Sequence, residues 1–326
     1  MPNDSLQLRD DLLACLPSLV IDRPLAESGQ RVVYLARFDD SLIPDDVPPP
    51  EDDDPDAKPF LHGWQGWGDI VVKVVSGADS ETIARLQAEA DILGEVRPTN
   101  FPRLLYDNLF YENPVTEERL AERLYVTVEE FIVSKPLSEV IDQYRGNEER
   151  VLDVAIGIAE ALLPLWMHPK RFVHRDIKPA NVLIRKTGEV VVIDLGIARE
   201  TGAKGVTKTG FNLAPYTLGF AAPEQIENEK TSITFKTDLF TIGVLMYLLH
   251  SGIRPFEPRK NMHDFEILLA TKNDNPPPLS QASGASAALS DFVEKAMQKE
   301  PFKRHRTPAL FIQELRELRG RSTPKN

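Results

Sequence analysis

The chain has 326 residues, of which 42% are hydrophobic and 27% charged, and 38 basic against 50 acidic residues give a net charge of −12. This composition is typical of a globular protein with a substantial core, and the negative charge argues against a general binder of nucleic acid or anionic membranes. Cys15 is the single cysteine, which excludes an intramolecular disulfide, and the absence of a signal-peptide pattern or bilayer-length apolar run predicts a cytoplasmic protein.

The first part of the chain is expected to be rich in strands. The predicted elements are a helix-like segment at 6–16, strands at 32–38 and 69–75, a helix at 80–96, and strands near 103–111 and 123–133.

An acidic, proline-rich segment at 39–58 separates the first two strands. Nine acidic residues and no basic one lie between Asp39 and Asp56. Charge repulsion and prolines argue against regular structure there. We expect a solvated loop that joins two strands of one sheet. The alternative is a segment that recruits a basic partner or lies across the cleft as an inhibitory element.

From about Leu137 the apolar pattern becomes helical. Helices are predicted at 151–166, 240–249, 263–272, 288–299 and 309–318. Strands followed by helices predict an α+β fold. We expect a flanking segment at 1–19, a domain at 20–320 and a tail at 321–326. Within the domain, a small sheet lobe with one main helix at about 20–133 precedes a large helical lobe at about 137–320.

Two short motifs carry the chemistry. The segments HRDIKPANVLI and IDLG contain Asp176, Lys178, Asn181 and Asp194. Phosphoryl transfer needs an acid that orients the attacking hydroxyl, a lysine that faces the phosphate, and amide and carboxylate oxygens that hold magnesium. The motifs therefore resemble the eukaryotic-type, or Hanks-type, serine/threonine protein kinase family, whose bilobal fold agrees with the predicted order of elements.

The resemblance implies a role for each residue of these motifs. Asp176 would accept the proton of the substrate hydroxyl, and Lys178 is the residue found there in serine/threonine kinases. Asn181 and Asp194 would ligate Mg²⁺, which prefers hard oxygen ligands. Leu183 would lie beneath the adenine of ATP.

Lys73 stands where the family has its strand lysine, within IVVKVV, and Glu89 follows sixteen residues later in EADIL. The resemblance implies that Lys73 contacts the ATP phosphates and that an ion pair with Glu89 holds it in place. Val33 and Val71 would line the nucleotide site.

The phosphate-binding loop departs from the family pattern, in which glycines let backbone amides approach the phosphates. Ala26, Ser28 and Arg31 stand at the three glycine positions, and Gly29 is the glycine nearby. Arg31 either reaches a phosphate or is exposed on a strand. This departure leaves a pseudokinase as an alternative.

Glu129 and Glu130 fall in the expected adenine-binding hinge. If Glu130 is the first hinge residue, Glu129 occupies the gatekeeper position beside the pocket. Burial of a carboxylate without a partner costs several kcal/mol. Either the register shifts or Glu129 has a partner.

The resemblance extends to an activation segment from Asp194 to Glu224. Thr207 and Thr209 are available acceptors of a phosphate, whereas Leu213 stands at the position most often phosphorylated.

Further positions are expected to support the site. Thr217 aligns with a threonine that faces the substrate, and Asp238 is expected to brace the catalytic loop. Arg304, rather than Arg306, is expected to pair with Glu224.

Taken with the family resemblance, these residues imply a kinase that uses ATP and Mg²⁺ to phosphorylate protein serine or threonine hydroxyls, itself included. A protein substrate and a regulatory protein partner are expected, but no nucleic acid or membrane. The alternatives are a pseudokinase that binds a nucleotide or a partner, and a small-molecule kinase of related fold.

Overall fold

The computed structural model describes residues 2–28, 31–43, 64–195, 199–200, 217–259 and 261–322. The chain divides into two compact units, one formed by residues 1–95 with 102–132 and the other by residues 96–101 with 133–326. None of the helices in the described residues is both long and apolar enough to cross a bilayer.

The first unit is built around one antiparallel sheet, in the order β1-β2-β3-β5-β4. Its elements are α1 (Pro2–Cys15), β1 (Leu19–Ser28), β2 (Arg31–Phe38), β3 (Ile70–Ser76), α2 (Ser80–Val96), β4 (Leu104–Glu112) and β5 (Arg119–Glu130).

The sheet has two different faces because side chains alternate along each strand. On β3, Val72 and Val74 are buried on one face, and Val126 on β5 joins them in the same apolar cluster. Lys73 falls between the two valines and therefore points to the opposite face, where Val75 packs beside α2. The alternation thus presents Lys73 to the side of the sheet that carries α2.

Helix α1 covers the other face of the sheet. Its residues Leu8, Leu12 and Cys15 are buried in the same cluster as Val72 and Val126. Burial raises the pKa of the Cys15 thiol to about 12. The predicted flanking segment thus contributes to the core of the first unit, which contains α1 as well as the one main helix predicted at 80–96.

The second unit is mainly helical. Its longer helices are α3 (Glu148–Met167), α5 (Phe235–Ser251), α6 (Asp264–Asn273), α8 (Ala287–Ala296) and α9 (Pro308–Ser322). Its shorter elements are β6 (Ser134–Pro136), β7 (Phe172–Val173), β8 (Val182–Arg185), β9 (Val190–Val192), β10 (Arg199–Glu200), α4 (Pro223–Ile226) and α7 (Leu279–Ser283).

Helix α5 is the centre of the second unit, since every residue from Thr237 to His250 is buried. Thr234 caps its N-terminus by accepting a hydrogen bond from the backbone of Lys236, and Gly252 ends it in the left-handed region at φ 75°. A helix that carries apolar residues on all its faces has to be buried on every side. The helix therefore serves as the support on which neighbouring loops are fixed.

The predicted α+β architecture is confirmed, and each predicted strand and helix has a counterpart within a few residues. Strand β1 was not predicted as a strand. Strands β2 and β3 are neighbours, as expected for the strands joined by the acidic segment. Most of that segment, residues 44–58, lies outside the described residues. The expected lobe boundary at 133–137 lies next to the division after Ile132.

His305 gives the second unit a predicted dependence on acid. Its ring packs against Phe292 and Phe311, and Nε2 lies 3.1 Å from Glu314 Oε2. Burial, followed by the charge of Lys295, lowers the pKa of His305 from 6.5 to about 4. Between these values the unfolded chain binds a proton that the folded chain does not. Stability is therefore expected to fall by about 2–3 kcal/mol as the pH drops from 6.5 to 4.

The measurement is chemical denaturation as a function of pH. Between pH 6.5 and 4, we expect the unfolding free energy of His305→Gln to depend less steeply on pH than that of the wild type. The difference in slope corresponds to roughly one bound proton. His263→Gln, at an exposed histidine, is the matched control. An unchanged slope in His305→Gln would contradict the prediction.

Candidate active site

Asp176 is the centre of a hydrogen-bonded cluster in the second unit. Its Oδ1 accepts a hydrogen bond from the Thr217 hydroxyl at 2.6 Å, and its Oδ2 accepts one from Lys178 Nζ at 2.7 Å. Lys178 Nζ also donates to Thr217 Oγ1 at 3.0 Å. The amide of Asn181 donates to the Asp176 carbonyl at 3.0 Å and to Oδ2 at 3.1 Å. A carboxylate, an ammonium, an alcohol and an amide thus converge on one point.

The loop that carries Asp176 is fixed from below by Asp238 on α5. Asp238 accepts hydrogen bonds from the Trp166 indole at 2.8 Å and from the backbone amides of His174 at 3.0 Å and Arg175 at 2.9 Å. Arg175 has φ 71°, a conformation that costs free energy in a residue with a side chain. These bonds explain how the turn is maintained, and they confirm the prediction that Asp238 braces the catalytic loop.

Burial shifts the protonation of the two groups below the loop. It raises the pKa of Asp238 above its ordinary value, against the opposing effects of His174 and the hydrogen bonds from Trp166, Arg175 and His174. It also lowers the pKa of His174. The hydrogen bonds from these donors favour the charged form of Asp238, whereas burial disfavours it.

Asn181 and Asp194 are the predicted magnesium ligands. The backbone amide of Ile193 donates to the Asn181 carbonyl at 2.9 Å, which brings Asp194, the next residue, beside Asn181. The nitrogen of the Asn181 amide faces Asp176, so the amide oxygen points away from it. An amide oxygen and a carboxylate are hard donors that suit Mg²⁺, which typically uses few protein ligands alongside phosphates and water. The two residues present therefore fit the ion.

The end of the activation segment is attached to the same loop. Thr217 reaches Asp176 and Lys178, as described above, and Gln225 donates a hydrogen bond to the carbonyl of Arg175 at 2.9 Å. The predicted phosphate acceptors Thr207 and Thr209, and also Leu213, lie outside the described residues.

Arg304 and Glu224 form a fully buried pair. The distances are 2.7 Å from Nη1 to Oε1 and 2.9 Å from Nη2 to Oε2, and the side chains are 0% and 2% exposed. The predicted pairing of Arg304 with Glu224 is thus confirmed. It holds the beginning of α4 against the end of the helical unit.

In the first unit, Lys73 Nζ lies 2.6 Å from Glu129 Oε1, and the side chains are only 11% and 8% exposed. Glu129 stands opposite Val71 in the ladder between β3 and β5, and Glu130 is the last residue of β5. The side chain of Glu130 lies 3.3 Å from Arg103. The open question about Glu129 is therefore answered: it is buried, and its partner is Lys73. Sequence reasoning foresaw the need for a partner but assigned Lys73 to Glu89.

Glu89 lies on α2 and lines a small cavity together with Lys73, Glu129 and Arg31. Arg31 is half-buried on β2, which argues against the second of its two alternatives, an exposed strand residue. The pairing of Lys73 with Glu89 stays a prediction.

The predicted nucleotide-contacting residues are distributed over both units. Val33 stands directly opposite Lys73 on β2, and Val71 stands opposite Glu129, so these side chains share one face of the sheet. Leu183 is half-buried on β8 in the second unit. Gly29, which follows the last residue of β1 in the sequence, lies outside the described residues.

Two supporting residues were missed by sequence reasoning, namely Trp166 and Gln225. Both make the hydrogen bonds described above to the loop that carries Asp176. The signal for Trp166 is an indole donor near the end of helix α3, whose other buried residues are all aliphatic. No comparable signal distinguishes Gln225 from a surface glutamine.

Comparison with known proteins gives a consistent result. A family model described as the protein kinase domain matches residues 69–315. The serine/threonine-protein kinase PknA of Mycobacterium tuberculosis is 30% identical over 261 residues, which cover 78% of this chain and 57% of PknA. PknA of Corynebacterium glutamicum is 31% identical over 178 residues, which cover 54% of this chain and 36% of that protein. The chain thus matches between about a third and somewhat over half of the length of these relatives.

The family match includes the strand that carries Lys73 and the loop that carries Asp176, and it spans well over half of the chain. The chain therefore belongs to the protein kinase domain family.

Proposed function

We propose that this chain is a serine/threonine protein kinase that transfers the γ-phosphoryl group of ATP to protein hydroxyls in the presence of magnesium. The observation that carries the proposal is the cluster around Asp176, in which Lys178, Asn181 and Thr217 converge on one carboxylate. Family membership supports the same reaction class.

Asp176 is suited to orient an attacking alcohol. Its Oδ1 already accepts a hydrogen bond from an alcohol, the hydroxyl of Thr217, at 2.6 Å. A serine or threonine of a substrate offers the same donor. Holding the hydroxyl oxygen in line with the phosphorus, and accepting its proton late in the transfer, is the service expected of Asp176.

Lys178 and Lys73 are the two lysines proposed to act on the phosphates of ATP. Lys178 is bonded to Asp176 Oδ2, which places its ammonium beside the point of attack. There it can stabilise charge on the phosphoryl oxygens. Lys73 is proposed to bind the α- and β-phosphates, with Glu89 as a predicted partner. Magnesium held by Asn181 and Asp194 would neutralise charge on the phosphates.

The choice of serine and threonine over tyrosine follows from Lys178, the residue that serine/threonine kinases have two positions after the catalytic aspartate. The names of the two PknA relatives agree with this choice.

The adenine is proposed to contact Val33, Val71, Leu183 and the backbone at Glu130, with Gly29 near the phosphates. Autophosphorylation at Thr207 or Thr209, a cytoplasmic location and a regulatory protein partner are further parts of the proposal, within a kinase domain at about 20–320.

The test is transfer of labelled phosphate from γ-labelled ATP to a generic basic protein, followed by identification of the phosphorylated amino acid. We expect phosphoserine or phosphothreonine with magnesium, and loss of labelling when EDTA removes the metal. Binding of ATP without any labelling would contradict the proposal and favour the pseudokinase alternative.

A further inference from the structure

Glu129 lies where a carboxylate needs a partner. Its side chain is 8% exposed, and Oε1 lies 2.6 Å from Lys73 Nζ. An unpaired carboxylate at this depth is strongly disfavoured, and a charge-assisted hydrogen bond of this length is among the stronger polar contacts in proteins. The contact with Lys73 is therefore part of the folded first unit and differs in kind from an exposed surface pair.

Strand register fixes the spacing of the two groups. Lys73 stands opposite Thr127, and Glu129 lies two residues further along β5, opposite Val71. Residues related in this way are diagonal neighbours on one face of a sheet, within reach of each other when the side chains are long. The ladder that sets this spacing runs without interruption from Ile70 to Ser76. The pair cannot separate by movement of a backbone element unless the ladder breaks.

Glu89 approaches the same cavity from a different kind of element. It is 8% exposed on α2, and it lines the cavity together with Lys73 and Glu129. Helix α2 is packed on the sheet through apolar side chains such as Ile83, which lies in one cluster with Tyr125 of β5. A helix held by side-chain packing can shift by one or two ångströms while the sheet stays intact. The two carboxylates are therefore anchored with different rigidity.

We propose that Glu129 is a positioning residue for Lys73, a second carboxylate anchor that belongs to the sheet and holds the ammonium toward the nucleotide phosphates independently of α2. The inference rests on the proposed function in that it assigns Lys73 to phosphate binding. An ammonium has three donors, so Lys73 has the capacity to bond to Glu129, to Glu89 and to a phosphate oxygen together. Glu89 then shares a task that it would otherwise perform alone.

The test compares ATP with adenosine, because adenosine lacks the phosphates that Lys73 would contact. Dissociation constants are measured by calorimetry for the wild type, Glu129→Gln, Glu89→Gln and the double variant. We expect Glu129→Gln to weaken the binding of ATP about 5–10-fold and to leave the affinity for adenosine unchanged. A loss of about 1.0–1.4 kcal/mol of binding free energy corresponds to such a factor. We expect the ATP affinity of the double variant to fall by more than the product of the two factors measured for Glu129→Gln and Glu89→Gln. Such an excess indicates that both carboxylates act on the same lysine.

Two further variants separate charge from damage to the sheet. Glu122→Gln makes the same chemical change at an exposed position of the same strand, and we expect it to bind both ligands as the wild type does. Glu129→Asp keeps the charge, and we expect it to bind ATP within about threefold of the wild type.

Several results would overturn the inference. They are an unchanged ATP affinity in Glu129→Gln, an equal loss of affinity for ATP and for adenosine in that variant, and a double variant whose loss of ATP affinity equals the product of the two single losses. Tighter ATP binding in Glu129→Gln would also contradict it, because Glu129 would then be a restraint on Lys73. A wild type that shows the expected affinities but transfers no phosphate contradicts the proposed function and leaves the positioning role supported.

Discussion

Replacement of Asp176 by asparagine is expected to reduce phosphoryl transfer about 10³-fold, within the range attributed to general acid–base and orienting groups. The variant keeps the size of the side chain and one carbonyl oxygen, but it removes the charge that receives hydrogen bonds from Lys178 at 2.7 Å and from Thr217 at 2.6 Å. An amide is a poor acceptor of the hydroxyl proton. The measurement is the initial rate of phosphate transfer to a protein substrate at saturating ATP.

ATP affinity and melting temperature serve as controls for this variant. Both should stay close to the wild type, because the Asp176 side chain contributes to the transition state rather than to the core. Asp142→Asn, an exposed aspartate of the second unit whose side chain lies beside Arg145, is the matched substitution and should leave the rate unchanged. A rate within a few-fold of the wild type in Asp176→Asn would assign the chemistry to another residue.

Loss of the Arg304 charge is expected to cost about 3–5 kcal/mol of unfolding free energy, the effect of removing one partner of a buried ion pair. All five N–H groups of the guanidinium are used: two bind Glu224, and the others bind the carbonyls of Lys236, Gln298 and Lys299. Arg304→Met leaves the Glu224 carboxylate buried with the Thr237 hydroxyl as its remaining donor. The measurement is chemical denaturation, followed by a signal from the second unit.

Arg316 provides a control for Arg304, because its ion pair with Glu160 has the same nitrogen–oxygen distance as that of Arg304 with Glu224. Its Nη2 lies 2.7 Å from Glu160 Oε1, but the two side chains are 64% and 39% exposed. Arg316→Met should therefore cost less than about 1 kcal/mol. Similar losses for the two variants would show that burial does not govern the strength of these pairs.

The catalytic loop could be predicted from sequence because its chemistry is local. Asp176, Lys178 and Asn181 lie within six residues, and a turn of fixed geometry brings them together wherever it occurs. Asp238 and Arg304 are distant in sequence, but the family resemblance assigned them roles that the hydrogen bonds confirm.

The contact between Lys73 and Glu129 could not be predicted in the same way. It depends on the register between β3 and β5, and a shift of one residue would turn Glu129 to the opposite face of the sheet. A single sequence does not specify which residues stand opposite each other. Strand β1 was missed for another reason: Pro24 and several charged residues are atypical of strands, but an edge strand tolerates them.

The position of α1 was also beyond the sequence pattern. The apolar spacing at 6–16 predicted a helix, but spacing alone does not say which surface a helix covers. In the structure, Leu12 and Cys15 are fully buried against the face of the sheet that points away from Lys73. The apolar spacing thus predicted the helix correctly, but only the structure shows which surface α1 covers.

Because α1 packs on the sheet, the first unit begins well before the region that the family model matches. The family match begins at residue 69, whereas β1, β2 and α1 precede it and complete the sheet and its apolar cover. A chain trimmed to the matched region would lose two of five strands and would expose Val72 and Val126 to water. Exposed apolar surfaces of this kind promote self-association. A fragment that keeps this apolar face covered therefore has to include α1 in addition to the proposed domain at about 20–320.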